Sequence, residues 1–214
     1  MSKIKSEEKL YDAIDKEYTW RLHEIDVLKG LLQKESGKPK MVAPLSKALI
    51  VLSYSHWEGF VKYSTEYFFE YMQHLNLKKK DMSEGFLASC IQHLNDNKKA
   101  ADATADILNC LNDENFTFQY NFNVLTSAES NLQFDVLRKI AANIALDISS
   151  LETKKASLDE IVLGRRNDVA HGDRVYADKS YGVEVCSHVL SLMKEYKDLL
   201  QNHISMHGYK KQQL

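Results

Sequence analysis

Residues 165–172 read Arg-Arg-Asn-Asp-Val-Ala-His-Gly, and no other stretch gathers as much polar chemistry. Two guanidinium groups (Arg165, Arg166), an amide (Asn167), a carboxylate (Asp168) and an imidazole (His171) sit within one short segment. A guanidinium fork matches two phosphoryl oxygens and does not lose its charge. An imidazole takes or gives a proton near neutrality. Together they suit a phosphodiester.

The spacing sets a difficulty. Five helical residues separate Arg166 and His171 by about 140°, so a straight helix does not put both on one face. Either the last turn before Gly172 unwinds and swings His171 round, or the groups meet across a symmetric interface between two copies. A third reading has no site: the Arg, Asp and His side chains cap carbonyls and pair with each other at a surface helix end.

Hydrophobic periodicity supplies the elements that must carry this segment. Leu10, Ile14, Tyr18, Leu22, Ile25, Leu28 and Leu32 form one stripe of a long helix over about 6–34, which Ser36-Gly37-Lys38-Pro39 ends. A second helix is expected over 45–75, after Pro44; Ala48-Leu49-Ile50-Val51-Leu52 is apolar nearly all round, as in a helix buried at the centre of a bundle. Trp57, Phe60, Tyr67 and Phe68 read as core, and Gly59 as a point of close approach by another backbone. Lys78-Lys79-Lys80 reads as a basic cap on that helix.

Shorter helices are expected at 83–94 and 100–111. Phe116, Phe118, Tyr120, Phe122 and Val124 alternate as in a strand, but with no second strand to pair they predict an extended segment across the helices. Leu132, Val136, Ile140, Ile144 and Ile148 predict a further helix, broken at 147–153. Ser157-Leu158-Asp159-Glu160 looks like a capping box opening the helix that ends at Gly172. A last helix is expected over 181–203. The fold class is all-α, an up-and-down helical bundle, with residues 1–214 as a single domain and 1–40 its N-terminal helix.

Composition narrows the function. With two prolines and eight glycines in 214 residues, few helix breakers occur, and the net charge of -2 argues against bulk electrostatic coating of nucleic acid while leaving room for a local basic cleft. Cys90, Cys110 and Cys186 form neither zinc spacing nor a disulfide framework, which suggests a reducing, cytoplasmic compartment. No apolar run reaches the roughly 20 residues that cross a bilayer, so a soluble, unprocessed chain without a membrane partner is expected. His203 and His207 have helical zinc spacing but no third ligand nearby, and His74 and His93 read as isolated surface residues; no metal site is expected. No serine-histidine-acid signature, glycine-rich phosphate loop or HExxH motif occurs.

Arg166-Asn167-x-x-x-His171 resembles the R-[NDH]-x(3–5)-H signature of the HEPN superfamily, the higher eukaryote and prokaryote nucleotide-binding domains. Leu52-Ser53-Tyr54-Ser55-His56-Trp57-Glu58-Gly59-Phe60-Val61-Lys62 resembles the long helix of its MAE-type and RiboL-PSP-type prokaryotic nuclease branch. The Asn131-Leu132 segment, the Arg-Arg-Asn-x-x-Ala-His-Gly run and the final helix extend the likeness over about 45–204, with 83–126 unaligned. The resemblance implies a helical bundle, usually a homodimer with facing motifs, and in many members a metal-independent ribonuclease without cofactor, often a toxin or defence effector. It implies that Arg166 holds the scissile phosphate, that His171 is general base or acid, and that Asn167 orients one of them. Arg165, Asp168, Glu58 and His56 are further candidates to line the cleft. RNA would be the substrate and a cognate antitoxin or defence-system protein a partner. The family also contains non-catalytic modules that bind RNA, nucleotide or a partner protein.

Overall fold

The computed structural model describes residues 4–97, 100–121, 131–172 and 176–212. Its helices are α1 (Glu7–Lys34), α2 (Pro39–Leu75), α3 (Glu84–Asn97), α4 (Ala100–Asn112), α5 (Phe134–Asn143), α6 (Arg165–Ala170) and α7 (Lys179–Ser205). A 3₁₀ turn at Ser149–Lys154 and a π-helical stretch at Ser157–Gly164 lead into α6. Among the described residues there is no sheet, only two isolated bridges, Lys78 to Thr117 and Met82 to Lys210. The all-α bundle expected from the sequence is what forms.

Three long helices make the body. A short link joins α1 to α2, so they run antiparallel; α2 also packs along α7, and α1 touches α7. Ser46 near the start of α2 meets Gly182 near the start of α7, and Thr65 farther along meets Tyr196, so α2 and α7 run parallel. Their shared core includes Trp57, Phe60 and Tyr196 at 0% exposure, with Tyr196 edge-on to both rings. Burial pushes the Tyr196 phenol up to about 12, and its hydroxyl shares a 2.8 Å hydrogen bond with Thr65. Trp57, Phe60 and Phe68 are core as expected; Tyr67 is half-buried and donates to Glu17 Oε1.

Several local expectations change. Helix α2 begins at Pro39 and carries Pro44 inside it. The backbone bond that Pro44 cannot donate would have gone to the Lys40 carbonyl, and both residues are exposed, so water can take its place. Leu49 and Ile50 are buried, but Ala48 is exposed and Val51 and Leu52 are half-buried, so α2 is not covered all round. In α1 the buried stripe runs Leu10, Ile14, Arg21, Ile25, Leu32: an arginine occupies a core position. Gly59 lies under that Arg21 side chain rather than another backbone, a Cβ there falling 2.6 Å from Nη1.

Lys79 caps a different helix from the one its sequence position suggests. α2 ends at Asn76 in the left-handed region (φ 48°), and Lys79 Nζ donates to the Cys110 and Leu111 carbonyls at the end of α4. The segment from Phe116 crosses the helices as expected up to residue 121, with Phe118 buried; residues 122–124 lie outside the described residues. His93 is buried, not superficial, and accepts the Asn121 backbone N–H at 3.1 Å. α5 stops at Asn143, and Ala145 turns to φ 53°. Ile144, Leu146 and Ile148 still reach the core because they alternate along non-helical backbone. The capping box at Ser157 is unused: the chain is already helical at Ala156, and Ser157 Oγ bonds His188 Nδ1 at 2.7 Å.

The close backbone approach lies at Gly182, where a Cβ would stand 2.5 Å from Ser46 Oγ and 3.1 Å from Ser46 Cα and O. Gly30, inside α1, has nothing within 4 Å of its added Cβ. Gly182→Ala should therefore destabilise the protein by about 1–3 kcal/mol through overpacking. Gly30→Ala should stabilise it by roughly 0.5–1 kcal/mol through helix propensity. Thermal unfolding of the two variants should show Tm moving in opposite directions.

Candidate active site

The motif sits where α6 crosses α2, and helical phase decides where each side chain goes. Leu158, Val162 and Leu163 are the buried residues of the π-helical stretch. Arg166 and Asn167 follow Val162 and Leu163 by four residues, so both fall on the face that enters the bundle. Arg165 follows half-buried Ile161 and turns toward α7 instead. His171 is the C-cap of α6, and it is exposed.

Arg166 is held without being neutralised. Its Nη1 donates to Asn131 Oδ1 at 2.7 Å and to Asn167 Oδ1 at 2.8 Å, and its guanidinium lies 4.4 Å from the centre of the Tyr54 ring. All these partners are uncharged. Arg165 instead meets Glu184 at 2.6 Å, and its guanidinium lies 4.0 Å from the Tyr181 ring centre. Arg21 pairs with Glu17, and Arg138 with Asp135 and Glu152. Among the described arginines, Arg166 alone lacks a carboxylate within ion-pair distance. An uncompensated guanidinium, fixed by amide oxygens and an aromatic face, is suited to receiving an anion.

Tyr54 ties the surroundings together. Its hydroxyl accepts the Leu132 backbone N–H at 2.7 Å, which fixes Asn131 beside Arg166. Burial first, and then the neighbouring Glu58 carboxylate, raise the Tyr54 pKa; the Leu132 N–H and the Arg166 charge oppose the rise. Tyr54 and Glu58 stand four residues apart on α2 and so share a face. Glu58 is half-buried, and its Oε2 has no hydrogen-bond partner among the described residues.

The structure thus brings together Arg166, Asn167 and Glu58, and adds Tyr54 and Asn131. Arg165 and Asp168 lie on the α7 side, where both act electrostatically on Tyr181. Among the described residues no hydrogen bond joins His171 to Arg166, whose partners are Asn131 and Asn167. The helix does not unwind to join them: His171 has φ -80° and ψ -1°, and its N–H still bonds the Asn167 carbonyl at 2.9 Å. The left-handed turn comes one residue later, at Gly172 (φ 78°).

Sequence reasoning passed over Tyr54 and Asn131 as functional groups. The four-residue spacing of Tyr54 and Glu58 was a usable signal; nothing local marks Asn131 as the acceptor for a side chain 35 residues away. Among the described residues no cluster of His, Cys, Asp and Glu is arranged to hold a metal ion. His203 is packed against Phe68 while His207 Nε2 lies 2.8 Å from Glu7, so that pair diverges.

A family model described as MAE_28990-like HEPN matches residues 10–209. No curated protein and no solved structure matches the chain. No helix among the described residues is long and apolar enough to cross a membrane.

His56, two residues from both Tyr54 and Glu58, faces the opposite seam between α2 and α1. It is buried against Trp20, with Nδ1 3.4 Å from Arg21 Nη1 and Nε2 3.1 Å from Glu24 Oε2. Arginine only donates, so Nδ1 is the acceptor and the ring proton sits on Nε2, facing Glu24. Burial and then the Arg21 charge lower the His56 pKa, against an opposing pull from Glu24. The fold therefore prefers neutral His56, while the unfolded chain takes up the proton once pH falls below about 6.5. Stability from this group should be complete above that value and lost as pH falls toward and through the lowered folded pKa. Urea unfolding at pH 8 and pH 5 should show a smaller acid loss for His56→Gln than for the parent; equal losses would remove His56 from the account.

Proposed function

The chain belongs to the MAE_28990-like HEPN family, and on that premise we propose that it is a metal-independent endoribonuclease that uses no cofactor. The observation that carries this reading is Arg166, fixed beside Tyr54 and Asn131 with no carboxylate to neutralise it. In this role it grips the scissile phosphate and stabilises charge as the ribose 2′-hydroxyl attacks phosphorus. Asn167, bonded to Arg166 Nη1, holds the guanidinium in place. His171 moves a proton as base or acid.

The reading includes a homodimer. Arg166 and His171 do not meet within one chain, and the intact last turn of α6 keeps them apart. Exposure of His171 leaves it available to a second copy, so a twofold assembly of motif ends would supply the missing group. The residues 1–214 are taken as one domain, a reading supported by a core that runs from Ile4 to Tyr209. A toxin or defence effector in the cytoplasm, restrained by an antitoxin or partner protein, is the biological setting that goes with this activity.

A second reading is a non-catalytic HEPN module that binds RNA, nucleotide or a partner protein. The net charge of -2 and the separation of Arg166 from His171 favour it.

Incubation of the full chain with mixed RNA in EDTA separates the two. The parent should cut; Arg166→Ala should lose about 10²–10³-fold and His171→Ala roughly 10²–10⁴-fold. Mixing the two inactive variants should restore part of the activity if the site is shared between copies. Equal cleavage by all three proteins would remove both residues from catalysis, and RNA binding without cleavage would favour the second reading.

A further inference from the structure

Arg166 and His171 leave one charged group of this site unused. Glu58 lies one turn beyond Tyr54 on α2, and its Oε2 is shut from solvent with no hydrogen-bond partner among the described residues. Removing a carboxylate oxygen from water without supplying a donor is costly, so such an atom calls for a partner that arrives from outside. Within the site the Tyr54 hydroxyl hydrogen-bonds the Glu58 carboxylate, yet Oε2 stays without a donor. Arg166 Nη1 points at the Asn131 and Asn167 amide oxygens rather than at the carboxylate. A cation and an anion thus flank the same tyrosine without neutralising one another.

Cleavage by an adjacent hydroxyl needs two proton transfers. One group must take the proton of the attacking 2′-hydroxyl, and another must give a proton to the departing 5′-oxygen. We propose that Glu58 is the base of this pair and His171 the acid, with Arg166 between them on the phosphate. This rests on the ribonuclease reading above and assigns the proton roles that it left open.

In this arrangement the O2′–H bond breaks and its proton passes to the Glu58 carboxylate, while O2′ forms a bond to phosphorus. The P–O5′ bond breaks, and the electron pair leaves on O5′, which takes its proton from the imidazolium of His171. The products are a 2′,3′-cyclic phosphate and a 5′-hydroxyl. The terminal torsion of a glutamate is broad and two-fold, so a half-buried carboxylate can present either oxygen to a sugar. A ribose hydroxyl is the kind of donor that Oε2 lacks, and 2′-deoxyribose cannot provide it.

A dinucleotide with a 5′-thiolate leaving group tests the assignment, because a thiolate departs without an acid. Three full-length proteins are compared: the parent, Glu58→Gln and His171→Ala. On ordinary RNA, Glu58→Gln should fall about a hundredfold or more in kcat, with KM changed by less than about threefold since Arg166 still binds phosphate. The thiolate substrate should rescue His171→Ala and leave Glu58→Gln impaired. Glu58→Asp, which keeps the carboxylate at shorter reach, should retain more activity than Glu58→Gln, and thermal unfolding of both should match the parent. Rescue of Glu58→Gln by the thiolate, or parental kcat in Glu58→Gln on RNA, would overturn the base role while leaving the ribonuclease reading standing. If the parent cuts neither substrate, both fall together.

Discussion

One buried tyrosine holds three parts of the chain in register. Tyr54 belongs to α2, supports the Arg166 guanidinium of α6 on its ring, and accepts the backbone N–H of Leu132. The last bond places Asn131 where it can accept from Arg166. A buried backbone N–H must find an acceptor, so the hydroxyl is a structural requirement as well as a positioning device. Without that side chain the guanidinium would lose the surface that fixes its plane, and Asn131 the bond that positions it.

Two adjacent arginines show how helical phase assigns roles. Arg165 and Arg166 share chemistry and are neighbours in sequence, yet a rotation of about 100° sends them to different helices. Arg165 is consumed by Glu184 and Tyr181, contacts that fasten α6 to α7. Arg166 meets only amides and a ring, so its charge remains available. The π-helical stretch just upstream sets this phase, because its wider turn decides which residues of α6 follow Val162 and Leu163 into the bundle.

The opposite seam of α2 carries a second polar assembly with a different logic. Arg21 occupies a core position of α1, bonds Glu17, and lies over Gly59 because no side chain there blocks it. His56 joins Arg21 to Glu24 as a neutral ring. Breaking one member of such an assembly leaves a buried charge without compensation, which is why these groups stay paired. Here Arg21 has a carboxylate beside it, whereas Arg166 beside Tyr54 has none within ion-pair distance among the described residues; that contrast separates the structural cluster from the candidate active site.

The sequence by itself determined the helices, the apolar faces they bury and the grouping of Arg, Asn and His at one helix end, since these depend on a period of 3.6 residues and on local turn chemistry. It also carried the family signature in Arg166, Asn167 and His171. Periodicity could not reveal that Arg21 fills a core position or that Lys79 caps α4, because each depends on a partner distant in the chain. The candidate site divides in the same way. The 140° between Arg166 and His171 was legible from helical geometry, but only the tertiary structure decided that Arg165 is paired and Arg166 is not. Pairing is a property of what packs against a helix, and α2, α7 and the segment at Asn131 reach α6 from parts of the sequence that no local pattern connects.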